Sequence, residues 1–546
     1  MRFAPVAAVA AVLAVMLAPL WADAASNTRT TLDGTAGSYS RFDGTQDATT
    51  TGCSTSRRPQ NEPTIAVDPH DPQVVTAGAN DYCTQATLPN HEVWAGYYRS
   101  TDGGARFEDS LVPGYPADGS AAGVASPVHG TCGAAGDPTQ SFDADGRLFY
   151  GFICFNRTGP VNGGMFVATY DQDGGRYLRT VEVARGTPSG QFSAGIFQDK
   201  PNLVADQTNG RFSGNVYLAW SRDSGVSGNN VILFSRSTDH GVTFSKPIQV
   251  TNGLVGNELF TDLAVAPDGT LYLTLRTTAL QGPTFDGIWT MRSTDGGVSF
   301  SEPALLARFR AFESSQFSGN GSVDCGDGAF ACPTGLTFSR FSSLSAIAAD
   351  STGVHVVWSA ELPGGQAKIF VANAADGVHF STPVTLDGIG RGHQYFPDIA
   401  SADGVLTAVF YDSRNDPAYS PSLPPGDTAD GTNSGGAVDA FVARSSDGGV
   451  SWMETRVSSV SSNYNWETHG VRMLPFWGDY IYVSAVPGAV NVAWTDSRNL
   501  VPGTDPNDPG ATDGFDVFQP CPTNATIDNP CLNTGGLDQN IYSARI

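Results

Sequence analysis

Four arginines stand at or just after the ends of apolar, alternating runs: Arg222 in AWSRDSG, Arg276 in LTLRTT, Arg414 in FYDSRND and Arg498 in AWTDSRN. A guanidinium is a planar, two-pronged donor suited to clamping a carboxylate. Three such groups converging on one point select an acidic ligand. Two of the four share the phrase Asp-Ser-Arg-Asn, at Asp412 to Asn415 and Asp496 to Asn499. An Asp two residues before an Arg at a strand end also makes a structural ion pair, and repetition in register favours that reading over a clamp.

A second set escapes the repetition. Glu62, Asp199, Lys200, Glu258, Arg340, Tyr395, Trp477 and Asp479 each stand near the start of an apolar run, and their chemistry differs from run to run. A site on a symmetric scaffold needs such asymmetry. Glu62 and Asp199 supply candidate carboxyls for acid–base or nucleophilic work, with Tyr480 beside them and Trp477 as an aromatic platform for a sugar ring. Two acidic stretches, Asp427–Asp439 and Asp505–Asp516, are rich in oxygen ligands of the kind Ca²⁺ takes. Neither has the spacing of an established calcium loop. No C-x-x-C and no H-E-x-x-H occurs, so motif spacing does not support zinc.

The elements that must position these residues announce themselves by repetition. Ser100 to Phe107 reads STDGGARF, and the phrase returns as Ser237 to Phe244 (STDHGVTF), Ser293 to Phe300 (STDGGVSF) and Ser445 to Trp452 (SSDGGVSW). Weaker copies lie at Thr169 to Tyr177 and Asn373 to Phe380. Asp accepts bonds from turn N–H groups and Gly supplies positive φ, so the phrase predicts a β-hairpin turn. Its many copies make these Asp residues structural, not catalytic.

The phrase resembles the Asp-box (BNR) repeat of the sialidase superfamily, whose members are β-propellers. The resemblance implies a glycan-acting protein, most simply a glycoside hydrolase of exo-sialidase type. It implies a Tyr nucleophile assisted by a Glu, roles that fall to Tyr480 and Glu62, an Asp acid/base, which falls to Asp199, and an arginine clamp drawn from Arg222, Arg276, Arg414 and Arg498. The Arg-Ile-Pro phrase of active sialidases is absent; the matching position reads Asn61-Glu62-Pro63. The alternative is a non-catalytic propeller that binds carbohydrate or protein.

A strand–turn–strand opening precedes each hairpin, near Pro63, Pro138, Pro201, Thr261, Ser345 and Pro397, and again at Asp479. Seven openings predict an all-β fold: a single propeller of seven four-stranded antiparallel blades, with six as the alternative. The last unit lacks a strand, which the segment from about Thr28 to Phe42 is placed to supply. Within a blade whose strands run a to d outward, the Asp-box turn joins c to d. The b–c and d–a loops then share the opposite face, and the long insertions and all the Cys lie there. Trp220, Trp358 and Trp494 recur in register and are expected between blades, in the core.

Met1-Arg2, an apolar run to Trp21 and Ala22-Asp23-Ala24 have the form of a secretory signal over residues 1–24. Residues 25–62 form the ring-closing segment and 63–546 the propeller. Eight Cys beyond the signal suit an exported, disulfide-bonded chain. Their positions favour Cys53–Cys83, Cys132–Cys154, Cys325–Cys332 and Cys521–Cys531. A net charge of −24 disfavours nucleic acid and anionic membranes. The chain is read as a secreted monomer with a carbohydrate partner, no nucleic acid and no membrane insertion.

Overall fold

The computed structural model describes residues 26–55, 59–86, 93–156, 163–187, 195–224, 230–251, 257–278, 286–312, 344–426, 434–463, 477–499 and 539–546, with a two-stranded ribbon at Val323–Asp324 and Ala331–Cys332. Seven four-stranded antiparallel sheets follow one another along the chain. Their innermost strands are Gln60–Val67, Ala134–Phe142, Phe197–Ala205, Asn257–Val265, Ser345–Asp350, Gln394–Ala402 and Tyr482–Val486, in blades 1 to 7. Each contacts the innermost strand of the next blade, and the last contacts the first, so together they surround a central channel. The fold is the seven-bladed propeller, not the six-bladed alternative. Blade 7 takes its outermost strand from the other end of the chain: Thr28 pairs with Ser543 and Arg29 with Tyr542. Among the described residues no helix is long and apolar enough to cross a membrane.

The repeated phrase forms the turn between the third and fourth strands. In blade 6, Asp447 Oδ1 accepts from Ser445 Oγ (2.7 Å) and Ser451 N (2.9 Å), while Ser445 Oγ accepts from Gly449 N (2.9 Å). Hydrogen bonds from Ser451 and Ser445 hold the Asp447 carboxyl down to about 2, so the turn stays ionised. The closing aromatics pack inward; Phe300, for example, meets Phe234 edge-on at 4.8 Å. Trp220, Trp358 and Trp494 are almost wholly buried in the sheet-to-sheet core, as their register predicts.

A propeller leaves one edge of each innermost strand without a strand to pair with, and its N–H groups need acceptors. The preceding blade supplies them from side chains. Thr139 Oγ1 accepts from Leu203 N (3.1 Å), Asn202 Oδ1 from Leu263 N (3.1 Å), Asp262 Oδ2 from Ile347 N (2.7 Å) and Asp398 Oδ2 from Val483 N (2.7 Å). Ser484 Oγ closes the circle onto Val67 N (3.0 Å). Thr, Asn and Asp thus play one part at equivalent positions.

Two disulfides, Cys53–Cys83 and Cys132–Cys154, tie the loops of blades 1 and 2. The pairings Cys325–Cys332 and Cys521–Cys531, and residues 1–24, involve positions outside those described.

Two measurements test this frame. Asp295→Ala removes the acceptor of Ser293, Val298 and Ser299. It should lower unfolding free energy by about 1–3 kcal/mol without changing ligand affinity of the folded protein; lost affinity at unchanged stability would make the turn a binding element. The second concerns the recessed acids. Burial pushes Asp262 up to about 7, and burial with the charge of Asp262 pushes Asp398 up. The folded chain therefore holds a proton that the unfolded chain releases from about pH 4 upward, and stability contributed here falls as pH rises to about 7. Asp262→Asn keeps the acceptor, as Asn202 shows, and should flatten the decline in melting temperature between pH 5 and 7.5. An unchanged slope would remove the pair from the pH response.

Candidate functional site

At the mouth of the channel the innermost strands share a distortion. A bulge breaks the register between Asn61 and Thr64, Gly136 and Thr139, Asp199 and Asn202, Leu259 and Thr261, and Tyr395 and Asp398. In each bulge one non-glycine residue takes a positive φ: Glu62 (52°), Asp137 (50°), Lys200 (53°), Phe260 (49°) and Phe396 (50°). Four of the five precede a proline, which restricts the backbone further. Left-handed backbone costs such residues about 1–3 kcal/mol each and concentrates at working sites. Leu344 and Tyr480 stand at the same place in blades 5 and 7.

This ring of side chains is divided in two. Blades 7, 1, 2 and 3 contribute Tyr480, Glu62, Asp137 and Lys200. Blades 4, 5 and 6 contribute Phe260, Leu344 and Phe396, which belong to one buried apolar cluster. The polar half is wired together. Glu62 Oε2 accepts from Asn80 Nδ2 (2.6 Å), and Asn80 Oδ1 accepts from Asp137 N (2.8 Å). Tyr480 Oη donates to Asp137 Oδ2 (3.3 Å). Lys200 Nζ lies 2.6 Å from Asp479 Oδ2, and Asp479 N donates to Glu62 Oε1 (3.2 Å). Lys200 Nζ also lies 5.1 Å from the Phe260 ring centre and 5.6 Å from that of Tyr480, where the polar and aromatic halves meet. Gly478 (φ 85°) makes the junction with blade 7 possible, since a Cβ there would fall 2.0 Å from Glu62 Cγ.

Electrostatics divides the acids by role. Burial, then the charges of Asp137, Glu62, Asp479 and Asp199, keep the Tyr480 phenol protonated. Asp223, at the end of the second strand of blade 3, is pushed up to about 6 by burial, with Lys200 pulling it back. Its Oδ1 is buried without a hydrogen-bond partner among the described residues. Asp199 Oδ1 accepts from Lys200 N (3.0 Å). Beneath the ring the channel narrows to a cavity of about 40 Å³, lined in part by Lys200, Asn202, Asp262, Asp398 and Tyr482. That holds about three waters, too little for a ligand of sugar size.

Glu62, Asp199 and Tyr480, expected together, do meet at this mouth. The arginines do not join them. Arg276 is 1% exposed and pairs with Asp286 through Nε (2.8 Å) and Nη2. Arg414 bonds Asp412 (2.6 Å) and Glu454 (2.7 Å) and lies 4.1 Å from the Phe441 ring centre. Arg498 bonds Asp496 (2.6 Å) and lies 4.1 Å from that of Tyr542. Asp286, Glu454 and the Phe441 and Tyr542 rings sit on third or fourth strands and Asp412 and Asp496 end second strands, so three of the four guanidinium groups are engaged by separate partners and make no common clamp. Arg222 has no ion-pair partner among the described residues. Trp477 is not a platform either: it is 4% exposed, packs 5.5 Å from Tyr411 and donates to Ser497 Oγ (2.8 Å). Tyr395 is core, and Glu258 is held by Thr251 and by Ile232 N (2.9 Å). Arg340, the stretch Asp505–Asp516 and most of Asp427–Asp439 lie outside the described residues. Sequence reasoning missed Asn80, Asp137, Asp223, Phe260 and Phe396. The available signal was the residue before proline in NEP, GDP, DKP and YFP, which marks four of the bulges.

No protein-family model matches the chain, and no curated protein does. Among solved structures, a protein of unknown function from Dyadobacter fermentans superposes with TM-score 0.41 at 12% identity, over 67% of this chain and 93% of that one. A Hadza microbial sialidase gives 0.40 at 12%, over 77% and 73%. An α-L-arabinofuranosidase from Fusarium graminearum gives 0.42 at 14%, over 71% and 94%. Likeness at this level bears on neither substrate nor chemistry.

The ion pairs make a direct prediction. Arg276→Ala removes the cation paired with Asp286 and should cost about 3–5 kcal/mol in denaturant unfolding, while ligand binding by the folded fraction is retained. Unchanged stability with lost binding would return Arg276 to the site.

Proposed function

We propose that the chain hydrolyses a glycosidic bond of a neutral sugar held across the channel mouth. The observation that carries this reading is the divided ring. A sugar presents an apolar C–H face and a rim of hydroxyls, and Phe260 and Leu344, which line the channel cavity, stand across from a half-circle of Tyr480, Glu62, Asp137 and Lys200. The excess of carboxylates, with Arg276, Arg414 and Arg498 engaged elsewhere, favours an uncharged ligand over a sialoside.

Glycoside hydrolysis needs one carboxyl that keeps its proton and one that has lost it. Asp223, raised to about 6, is the acid. Asp137 is the partner carboxyl, oriented by Tyr480, with Glu62 and Asn80 fixing its backbone. The Tyr480 phenol is then a positioning donor, in place of the nucleophile that the family resemblance implies. Asp199 holds Lys200 in place, and Lys200 with Asp479 balances charge beside the reacting bond.

A panel of chromogenic glycosides, neutral and acidic, tests the reading. The expected result is turnover of a neutral glycoside, reduced at least about 100-fold in Asp137→Asn at unchanged melting temperature, with the rate falling above about pH 6 as Asp223 ionises. Turnover of a sialoside instead would overturn the neutral substrate. Glycan binding without turnover of any panel member would make the protein a lectin-like binder.

A further inference from the structure

On the face opposite the channel mouth, the turn after each innermost strand lies against the hairpin turn of the next blade. Two of these junctions have the same architecture and different chemistry. Between blades 2 and 3, Asp143 follows the innermost strand, and its N–H bonds Arg147 O (2.9 Å). Its Oδ2 lies 3.3 Å from His240 Nδ1 in the facing turn. Arg147 Nη1 fills the space between them, 3.4 Å from Asp143 Oδ2 and 2.9 Å from His240 Nδ1.

Between blades 1 and 2, Asp68 takes the place of Asp143, its N–H bonding Val74 O (3.1 Å). Asp173 takes the place of His240, at a matching positive φ of 54° against 56°. Val74 stands where the other junction has Arg147, so the guanidinium is missing. In its stead His70 lies 3.4 Å (Nδ1) from Asp173 Oδ1. Arg99 donates to the Asp173 carbonyl (2.9 Å) and pairs with neither carboxylate among the described residues.

The Asp68 side chain is 0% exposed. One of its oxygens accepts from His70 N (2.8 Å), and the other, Oδ2, is buried with no hydrogen-bond partner among the described residues. That orphan oxygen faces the group: one ligand atom from each of Asp68, His70 and Asp173 lies within 4.8 Å of the others. A single point beside Gly146 lies 2.4 Å from Asp173 Oδ1 and 3.1 Å from Asp68 Oδ2, and is clear only because residue 146 has no Cβ. A buried, uncompensated carboxylate is costly.

We propose that Asp68, His70 and Asp173 bind a divalent ion of the zinc type, which does for blades 1 and 2 what Arg147 does for blades 2 and 3. One imidazole nitrogen and two carboxylate oxygens suit zinc, with water completing a tetrahedron. The His70–Asp173 separation of 3.4 Å matches the ligand–ligand edge of such a tetrahedron, about 3.3 Å for metal–ligand bonds near 2.05 Å. Calcium, which takes about six to eight oxygens, is ill served by this set.

The experiment uses the full folded chain, stripped with a chelator and titrated with ZnCl₂ by calorimetry, with bound zinc counted by mass spectrometry after gel filtration and melting temperature recorded in parallel. Two variants remove ligands where the fold tolerates it: His70→Ala on a side chain 61% exposed, and Asp173→Gly, the residue that the same turns use at Gly296 and Gly448. The wild type should retain one zinc and melt higher with it. Each variant should lose that ion, with Kd raised at least about tenfold, and lose the thermal shift. Because other surface acids bind zinc weakly, the comparison with the variants decides. A wild type that retains no zinc, or variants with the same stoichiometry and shift, would overturn the site; Asp173→Gly decides alone if His70→Ala does not fold.

Discussion

A propeller depends on how the inner edges of its blades are satisfied. Each innermost strand bonds its own second strand on one side and has no strand on the other. The orphan N–H groups are taken up by side chains of the preceding blade: Thr139, Asn202, Asp262, Asp398 and Ser484. These bonds set the separation of neighbouring blades and place polar atoms in the channel. The same requirement explains why carboxylates such as Asp262 and Asp398 sit in so confined a space, and why burial raises both above the ordinary carboxyl range. Polar residues on these strands hold the ring together while the apolar faces pack sheet on sheet.

The bulges follow from the same geometry. Above the bonded positions the strands part toward the mouth, and five of them do so through a residue with positive φ. The distortion takes that residue out of the strand alternation, and Lys200 and Phe260 line the channel cavity there. Since it recurs, what distinguishes one blade from another at this level is the residue that each places there. Asp137 and Phe396 occupy equivalent backbone positions and carry opposite polarity. A site of the kind proposed would draw its differences from such positions, on a backbone that the rest of the fold holds in place.

The opposite face shows the same economy of position. Asp68 and Asp143 are equivalent, as are Asp173 and His240, yet a guanidinium completes one junction and three potential ligands gather at the other. Motif spacing gave no hint of zinc, because the third ligand comes from the neighbouring blade, about a hundred residues away, and no spacing rule spans blades.

Much of the fold was legible in the residues. The hairpin phrase, its copies and the strand openings carried the blade count, because Asp and Gly at a tight turn are a local requirement that the chain meets each time in the same words. The Cys53–Cys83 and Cys132–Cys154 disulfides followed from their places around adjoining strands. Glu62, Asp199 and Tyr480 were singled out by their asymmetry, and the fold brings them near one another. What residue types left undecided was direction. An arginine at a strand end reads alike whether it turns to the channel or along its blade, and Arg276, Arg414 and Arg498 turn along the blade because Asp286, Glu454 and the Phe441 and Tyr542 rings await them on outer strands. Trp477 reads as a platform until the Tyr411 ring covers it. Local sequence determined the turns, the strands and their number; only tertiary structure decided which polar side chains face one another, because those partners come from different blades and meet when the ring closes.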